Sequence, residues 1–449
     1  VKKERKDENL KKGLLPRHIQ LMALGGMIGT GIFKGTGDTL NIAGPGVILA
    51  YLLGGLLLFI VMVALAEMAV VYPELNIQHL IHKAFGFRAS IIVGYLYWIN
   101  WIIVTVVEIL AAGLFLQYWF PAVPLWGLSL ICALAILLVN VFNVKYYGEF
   151  EFWFAGIKIF AIIAFIIFGL AILFGIVPAH HIHPSSNYFD HGGFFPHGFS
   201  GVMNAFLVVM FSYGGSELIG LTITEAKDAE RILPKVIKGV IGRILIFYIV
   251  PIIIICGLIP WDKVSSLESS PFVQVFNLIG IPGVSHIMNF VMITAVLSAA
   301  NSGVYATSRT LFSMAQRGEA PAFLLKISKH GVPIGAIILN SVFLIVGVYL
   351  AYLYNGPIIN ELMSIPGFTI MIVWMAICLA QMKLRPSYPV RPYFRMWFFP
   401  VTTVIGFLAL LGIFISFVMN KANFVGSITC LIVMVILVLL SFFIKSSRA

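Results

Sequence analysis

This sequence is short of charge. Only 10% of its 449 residues are Asp, Glu, Lys or Arg, against 60% hydrophobic, and no soluble core needs that much apolar surface. Soluble classes are thereby excluded. Cysteine is scarce too: Cys132, Cys256, Cys378 and Cys430 stand singly inside apolar runs, so neither a disulfide framework nor a zinc site is indicated. They read as small packing residues. Long polar stretches are missing, and the widest breaks, Val177 to Gly198 and Pro260 to Gly283, are too short for a separate soluble domain. The N-terminal VKKERKDENLKKG is a charged tail with no apolar stretch of its own, so no cleavable signal is read there. A net charge of +11 could suggest nucleic acid, but the basic residues flank apolar runs, where they orient a membrane protein. No nucleic-acid partner is expected; the lipid bilayer is.

What is present is a series of apolar runs of membrane-crossing length. Twelve spans are read: Arg17 to Ile42, Val47 to Val71, Ile91 to Tyr118, Leu125 to Phe142, Phe154 to Ile176, Phe199 to Thr222, Val236 to Ile259, Val284 to Met314, Ile334 to Tyr354, Ile358 to Met382, Trp397 to Met419 and Gly426 to Ile444. The expectation is an all-α polytopic membrane protein, with residues 1–16 as a tail and 17–445 as a single transmembrane domain. If the N-terminus is inside, nearly all Lys and Arg fall on inner breaks, and Lys34, Lys263 and Lys421 alone remain outside, with Lys158 within a span. That bias places both termini in the cytoplasm of a cell-membrane protein.

Two spans are interrupted. Gly25 to Gly37, GGMIGTGIFKGTG, holds six glycines in thirteen residues, although a spanning helix has no obvious use for them. Loosened backbone at membrane depth survives only packed in protein or beside a wet cavity; close helix packing through Gly25, Gly29, Gly31 and Gly35 is the alternative. The sixth span repeats the anomaly in SYGGSE, Ser212 to Glu217. The interval is five spans, so the second unit enters from the opposite side and an inverted repeat follows. Repeat 1 is expected at about 17–176, repeat 2 at about 199–382, and two extra helices at about 397–444. Paired interruptions in two halves point to a transporter site near the midplane.

A broken helix offers N–H groups at the start of one half and C=O groups at the end of the other. A zwitterion matches both. Its carboxylate is expected at the amides of Gly29, Thr30 and Gly31, and its ammonium at carbonyls near Ile28 and around Phe211, Ser212 and Tyr213, with Gly214, Gly215, Ser216 and Glu217 completing the second break. Glu108, deep in span 3 on a face with Trp101, Thr105 and Ala112, reads as a functional carboxylate, or alternatively as a neutral structural hydrogen-bonder. Lys158, one turn inside span 5, either snorkels to the cytoplasmic surface or points into the bundle where a metal cation would otherwise sit. In span 8, Ser298, Asn301, Ser302, Tyr305 and Ser308 make a polar stripe, bordering the cavity or bonding between helices. The loop with His180, His181, His183, Asp190, His191 and His197 fits no metal signature; no metal or other cofactor is expected.

The segments RHIQLMALGGMIGTGIF (Arg17 to Phe33), FSYGGSELIGLTITEA (Phe211 to Ala226) and AANSGVYATSRTLFSMAQRGEAP (Ala299 to Pro321) resemble bacterial amino acid permeases of the amino acid–polyamine–organocation superfamily. The likeness runs from about Leu14 to Ile444. It implies a five-plus-five inverted repeat with broken helices 1 and 6 and two further helices, substrate lying between those breaks. It also implies that Lys158, in EFWFAGIK, occupies the place where sodium-coupled relatives bind a cation, which favours proton coupling. One stretch departs: after Pro73 the family commonly has a small Gly/Ser-containing segment, whereas this chain has Glu74, Leu75, Asn76, Ile77, Gln78 and His79, at a cytoplasmic connection near the inner gate.

The expected function is import of an amino acid, with a lean towards neutral substrates, by proton symport and alternating access. Glu108 or Lys158 carries the coupling and sodium is not needed. An exchanger or a cationic amino acid permease would share almost every residue named, and a transporter-like nutrient sensor would look the same in sequence. An enzyme would need a nucleophile, base and orienting group converging in the bilayer, and no such set is seen. Oligomeric state is not legible.

Overall fold

The computed structural model describes residues 28–141, 144–177, 183–218, 239–264, 270–279, 283–329, 331–354, 358–420 and 424–444. The tail, residues 17–27 of the first expected span with Gly25 and Gly26, His180 and His181, the basic residues between 219 and 238, and Lys421 lie outside them.

The regular structure of the described residues is helical, with no strand among them, and nine of the helices are long and apolar enough to cross a membrane. Two shorter apolar helices, Leu125–Val141 and Gly198–Tyr213, join them. In chain order α1 is Thr30–Phe33 and α2 Gly35–Ala43; a tight GPG turn leads into α3, Val47–Val71. The short α4, Ile77–Phe85, precedes α5, Phe87–Gln117, α6, Leu125–Val141, and α7, Val144–Leu173. Then come α8, Pro184–Phe189, α9, Gly198–Tyr213, and α10, Val250–Leu258, entered through a π-helical turn at Leu245–Ile249. The rest are α11, Pro271–Ile279, α12, Val284–Gln316, α13, Ile334–Tyr354, α14, Ile358–Leu384, α15, Val401–Met419, and α16, Phe424–Phe443.

Most of these helices are apolar on every face, the pattern of an element buried on one side by protein and on the other by lipid. The long helices α5 and α12 run against each other at the centre, flanked by α14, α7 and α6, while α9 packs on α2, α3 and α14. The last two helices are peripheral: α15 touches α3 and α14, and α16 touches α5 and α14. Small residues permit the close approaches. A Cβ at Gly303 of α12 would fall 2.0 Å from Thr105 Oγ1 of α5, so a methyl there would drive the central pair apart.

The exception to uniform apolarity is α4. Its Ile77, Leu80, Ile81 and Ala84 are buried at helical spacing, and His79, His82 and Lys83 take the other face. Asn76 caps it, accepting the His79 N–H at 3.0 Å, and Gly86 at φ +86° ends it.

The fifth span begins earlier than the hydropathy pattern predicts. The helix starts at Val144, not Phe154, so Lys158 lies about four turns inside it rather than one. The polar residues of GEFEFWF do not end the helix, because Glu151 has a buried partner within it.

Candidate functional site

One helix begins and another ends beside one cavity, bordered by Gly29, Gly31, Glu108, Phe211, Ser212, Gly214 and Gly215. On one side Ile28 and Gly29 are non-helical and α1 begins at Thr30. On the other, α9 stops at Tyr213; Gly214 is extended at ψ 144°, Gly215 has φ +105°, and a single 3₁₀ turn follows at Ser216–Leu218. Gly215 thus adopts a conformation that L side chains avoid. The two breaks touch: Ser212 Oγ lies 3.0 Å from the Gly31 carbonyl and can donate to it, and a Cβ on Gly31 would meet Ser212 Cα at 2.5 Å.

A carboxylate already sits at the exposed amide end of α1. Thr30 donates its N–H to Glu108 at 3.0 Å to each oxygen and its hydroxyl to Glu108 Oε2 at 2.7 Å, the favourable placing of an anion at a helix N-terminus. Gly29 allows this approach, since a Cβ there would lie 2.5 Å from Glu108 Oε1. Among the described residues no partner is seen for the Gly31 and Ile32 amides.

Lys158 is fully buried and points into the bundle. Its Nζ donates to the Ile28 carbonyl at 3.2 Å and to Ser298 Oγ at 2.9 Å, Ser298 donates on to Glu151 Oε1 at 2.7 Å, and Glu151 lies 3.9 Å from the ammonium. The break of span 1 is therefore held from both sides: an anion on the Thr30 amide, a cation on the Ile28 carbonyl. Snorkelling to the surface is excluded by this geometry.

The carbonyls of the second break have side-chain partners. Tyr248 donates to Ser212 O at 2.6 Å and Ser216 Oγ to Tyr213 O at 3.0 Å, while the Gly214 N–H closes on Met210 O and Phe211 O. Glu217 accepts the Gly215 N–H at 3.2 Å. The indole N–H groups of Trp101 and Trp374 face Glu217 without closing a hydrogen bond. Of the stripe in α12, Ser298 joins the Lys158 network and Asn301 accepts from Asn140 at 2.7 Å, while Tyr305 lies under the Arg309 guanidinium at 3.9 Å. Ser298 reaches the first break through Lys158.

Glu151, Tyr248 and Asn100 were not expected in the site. Glu151 carried a signal, its i, i+7 spacing from Lys158, that a shorter span hid. Tyr248 and Asn100 carried none; Asn100 borders the cavity with Trp101, Val104, Pro366 and Ile370. Lys34 is buried and pairs at 2.8 Å with Asp38, one turn on along the helix. In the histidine loop, His191 Nδ1 meets Asp262 at 3.1 Å and His197 meets the Ile42 carbonyl at 2.9 Å. No group of metal-ligating residues is found among the described residues.

The amino acid permease family model matches residues 18–448. An uncharacterized amino acid permease of Bacillus subtilis strain 168, YvbW, is 41% identical over 433 residues, covering 96% of this chain and 97% of the relative. The gamma-aminobutyric acid permease of the same organism is 38% identical over 91% of this chain and 88% of its own. The aromatic amino acid transport protein AroP of Escherichia coli K12 is 39% identical over 84% and 82%.

Proposed function

This chain belongs to the amino acid permease family, and from that premise we propose that it imports a neutral amino acid with a proton by alternating access. The observation that carries the proposal is the hold of Glu108 on Thr30 beside the cavity. An amide terminus that holds a side-chain carboxylate has the chemistry to hold a substrate carboxylate. Protonation of Glu108 replaces a charge-assisted acceptor with a neutral one and loosens its grip, which frees the Thr30 N–H for the substrate. Proton and amino acid then enter together.

We place the substrate ammonium at the C-terminal carbonyls of α9, Phe211 to Tyr213; each already accepts one hydrogen bond, and a carbonyl oxygen has a second lone pair to offer. Lys158 supplies a fixed positive charge of the kind a bound sodium would bring, which supports indifference to sodium. The rest of the lining supports a neutral side chain: Trp101, Val104, Pro366 and Ile370 are apolar, and Asn100 is uncharged. Relatives named for gamma-aminobutyric acid and for aromatic amino acids agree with that lean. We also place both termini in the cytoplasm, on the Lys and Arg bias, and read the architecture as twelve spans in a five-plus-five repeat with two added helices.

The test is a panel of unlabelled amino acids competing against labelled uptake in proteoliposomes, with pH and sodium gradients imposed separately. Uptake driven by an inward proton gradient, unmoved by sodium, is expected. Sodium-driven uptake with no response to the pH gradient would overturn the coupling scheme.

A further inference from the structure

The segment that departs from the family pattern, Glu74 to His79, ends in a polar cluster at the side of the bundle that the charge bias assigns to the cytoplasm. His79 leads it. Asn76 Oδ1 lies 2.8 Å from His79 Nδ1, and an amide oxygen can only accept, so Nδ1 carries the proton. Arg317 NH1 at the end of α12 lies 3.1 Å from Nε2 and 3.3 Å from Nδ1, so the guanidinium sits against the face of the ring. The same guanidinium donates to Gln78 Oε1 at 3.2 Å, to Ser313 Oγ at 3.0 Å and to Glu319 Oε2 at 2.6 Å. Asn76 reaches Ser313 at 3.2 Å, and His82 lies 3.5 Å from the fully buried Glu319. These contacts tie α4 to the end of α12.

We propose that His79 and Arg317 form a latch holding α4 against the end of α12, closed while His79 is neutral and released when it is protonated. The reason is charge. A guanidinium against the face of a neutral imidazole is an attractive contact, and a proton on the ring replaces it with two like charges in contact. The other charged groups near the ring are Glu319 beside Arg317 and His82 on α4 itself. From α5 the facing group is Tyr95, donating to the Glu319 carbonyl at 3.3 Å, and the nearest charge of α14, Lys383, lies over Phe85 at the far end of α4.

Burial first, then the Arg317 charge, push the His79 imidazole down to about 4. A histidine depressed in the docked state contributes docking stability that is fully present above its free value of about 6.5 and is lost as pH falls from there towards about 4. Between pH 7.5 and 5.5 the ratio of released to docked α4 should rise about tenfold.

The latch goes beyond the transport reading, and its test requires no transport. The full chain in lipid nanodiscs carries Leu80→Cys, a buried α4 position, with Glu74→Cys as the exposed reference; the native cysteines are buried. Labelling by N-ethylmaleimide, normalised to the reference at each pH, reports the released fraction. An increase of about tenfold from pH 7.5 to 5.5 is expected, and it should vanish in His79→Gln, which cannot charge. Arg317→Gln should raise labelling already at pH 7.5 and flatten the pH response. Should Leu80→Cys fail to fold, Ile81→Cys, equally buried, replaces it. Equal normalised rates at both pH values, or an increase that persists in His79→Gln, would overturn the proposal.

Discussion

Glu108 and Thr30 are closed on each other across 78 positions of sequence: one carboxylate takes both the backbone N–H and the hydroxyl of the residue that starts α1. The couple joins the central helix α5 to the broken backbone, so whatever changes the charge of Glu108 changes the amide terminus beside the cavity.

Glu108→Gln isolates that charge. Glutamine keeps an oxygen for the Thr30 N–H but fixes the site in its neutral form. Substrate binding should lose its dependence on pH, and accumulation driven by a proton gradient should fall by roughly tenfold or more, the worth of one hydrogen bond to a charged group. Counterflow between preloaded vesicles should persist. Uptake and counterflow in the same proteoliposomes check this; pH-dependent accumulation at the parental level would return Glu108 to a structural role.

Lys158 and Glu151 should behave as a pair. Removing the ammonium alone, Lys158→Ala, leaves the Glu151 carboxylate and the Ile28 carbonyl without it, and breaking a buried pair costs about 3–5 kcal/mol. Lys158→Met with Glu151→Gln should recover most of the stability, because neither charge is left stranded, yet proton-driven uptake should stay low. Denaturation of the detergent-solubilised variants together with vesicle uptake gives both halves. Strictly additive losses would show that the two residues do not act on each other.

Gly31→Ala should damage the site through shape alone. Its Cβ would fall 2.5 Å from Ser212 Cα, a backbone atom that cannot turn aside, at a cost of about 1–3 kcal/mol and with loss of uptake. Gly35→Ala is the control: its Cβ would first meet Val208 Cγ1 at 3.0 Å, the end of a side chain. The order of thermal stabilities should be parent, Gly35→Ala, Gly31→Ala, and a reversal of the two variants would count against a backbone contact between the breaks.

Much of this arrangement is legible in the amino-acid sequence, for reasons that differ by residue. Spans are visible because lipid demands long apolar runs. The breaks at Gly29 and at Gly214 and Gly215 are visible because glycine and serine have little other use there, and Glu108 and Lys158 stand out as charges among Val, Ile and Phe. What holds each break is less visible. The Thr30 amide and the Ile28 carbonyl, read as open to substrate, are met by Glu108 and Lys158, and pairing between distant helices leaves no local mark. Tyr248 is one aromatic among many until the fold brings it to Ser212 O. Glu151 is hidden because the polar residues before Phe154 break the hydropathy of a helix that begins at Val144. The odd residues at 74–79 showed only that something differs there; Arg317, 238 positions on from His79, supplies the meaning.

The two glycines that admit Glu108 and Ser212 also partition the freedom of the cavity to diverge. At Gly29 and Gly31 any side chain would occupy space already taken by the Glu108 carboxylate or the Ser212 backbone, so descendants of this chain cannot be retuned for new cargo there. Room for change lies elsewhere in the lining, at Asn100, Val104 and Ile370, where, on the proposed function, a substitution alters the shape offered to a substrate side chain. On the proposed function, recognition of what amino acids share is thereby separated from recognition of how they differ, and the second can drift while the first stands still.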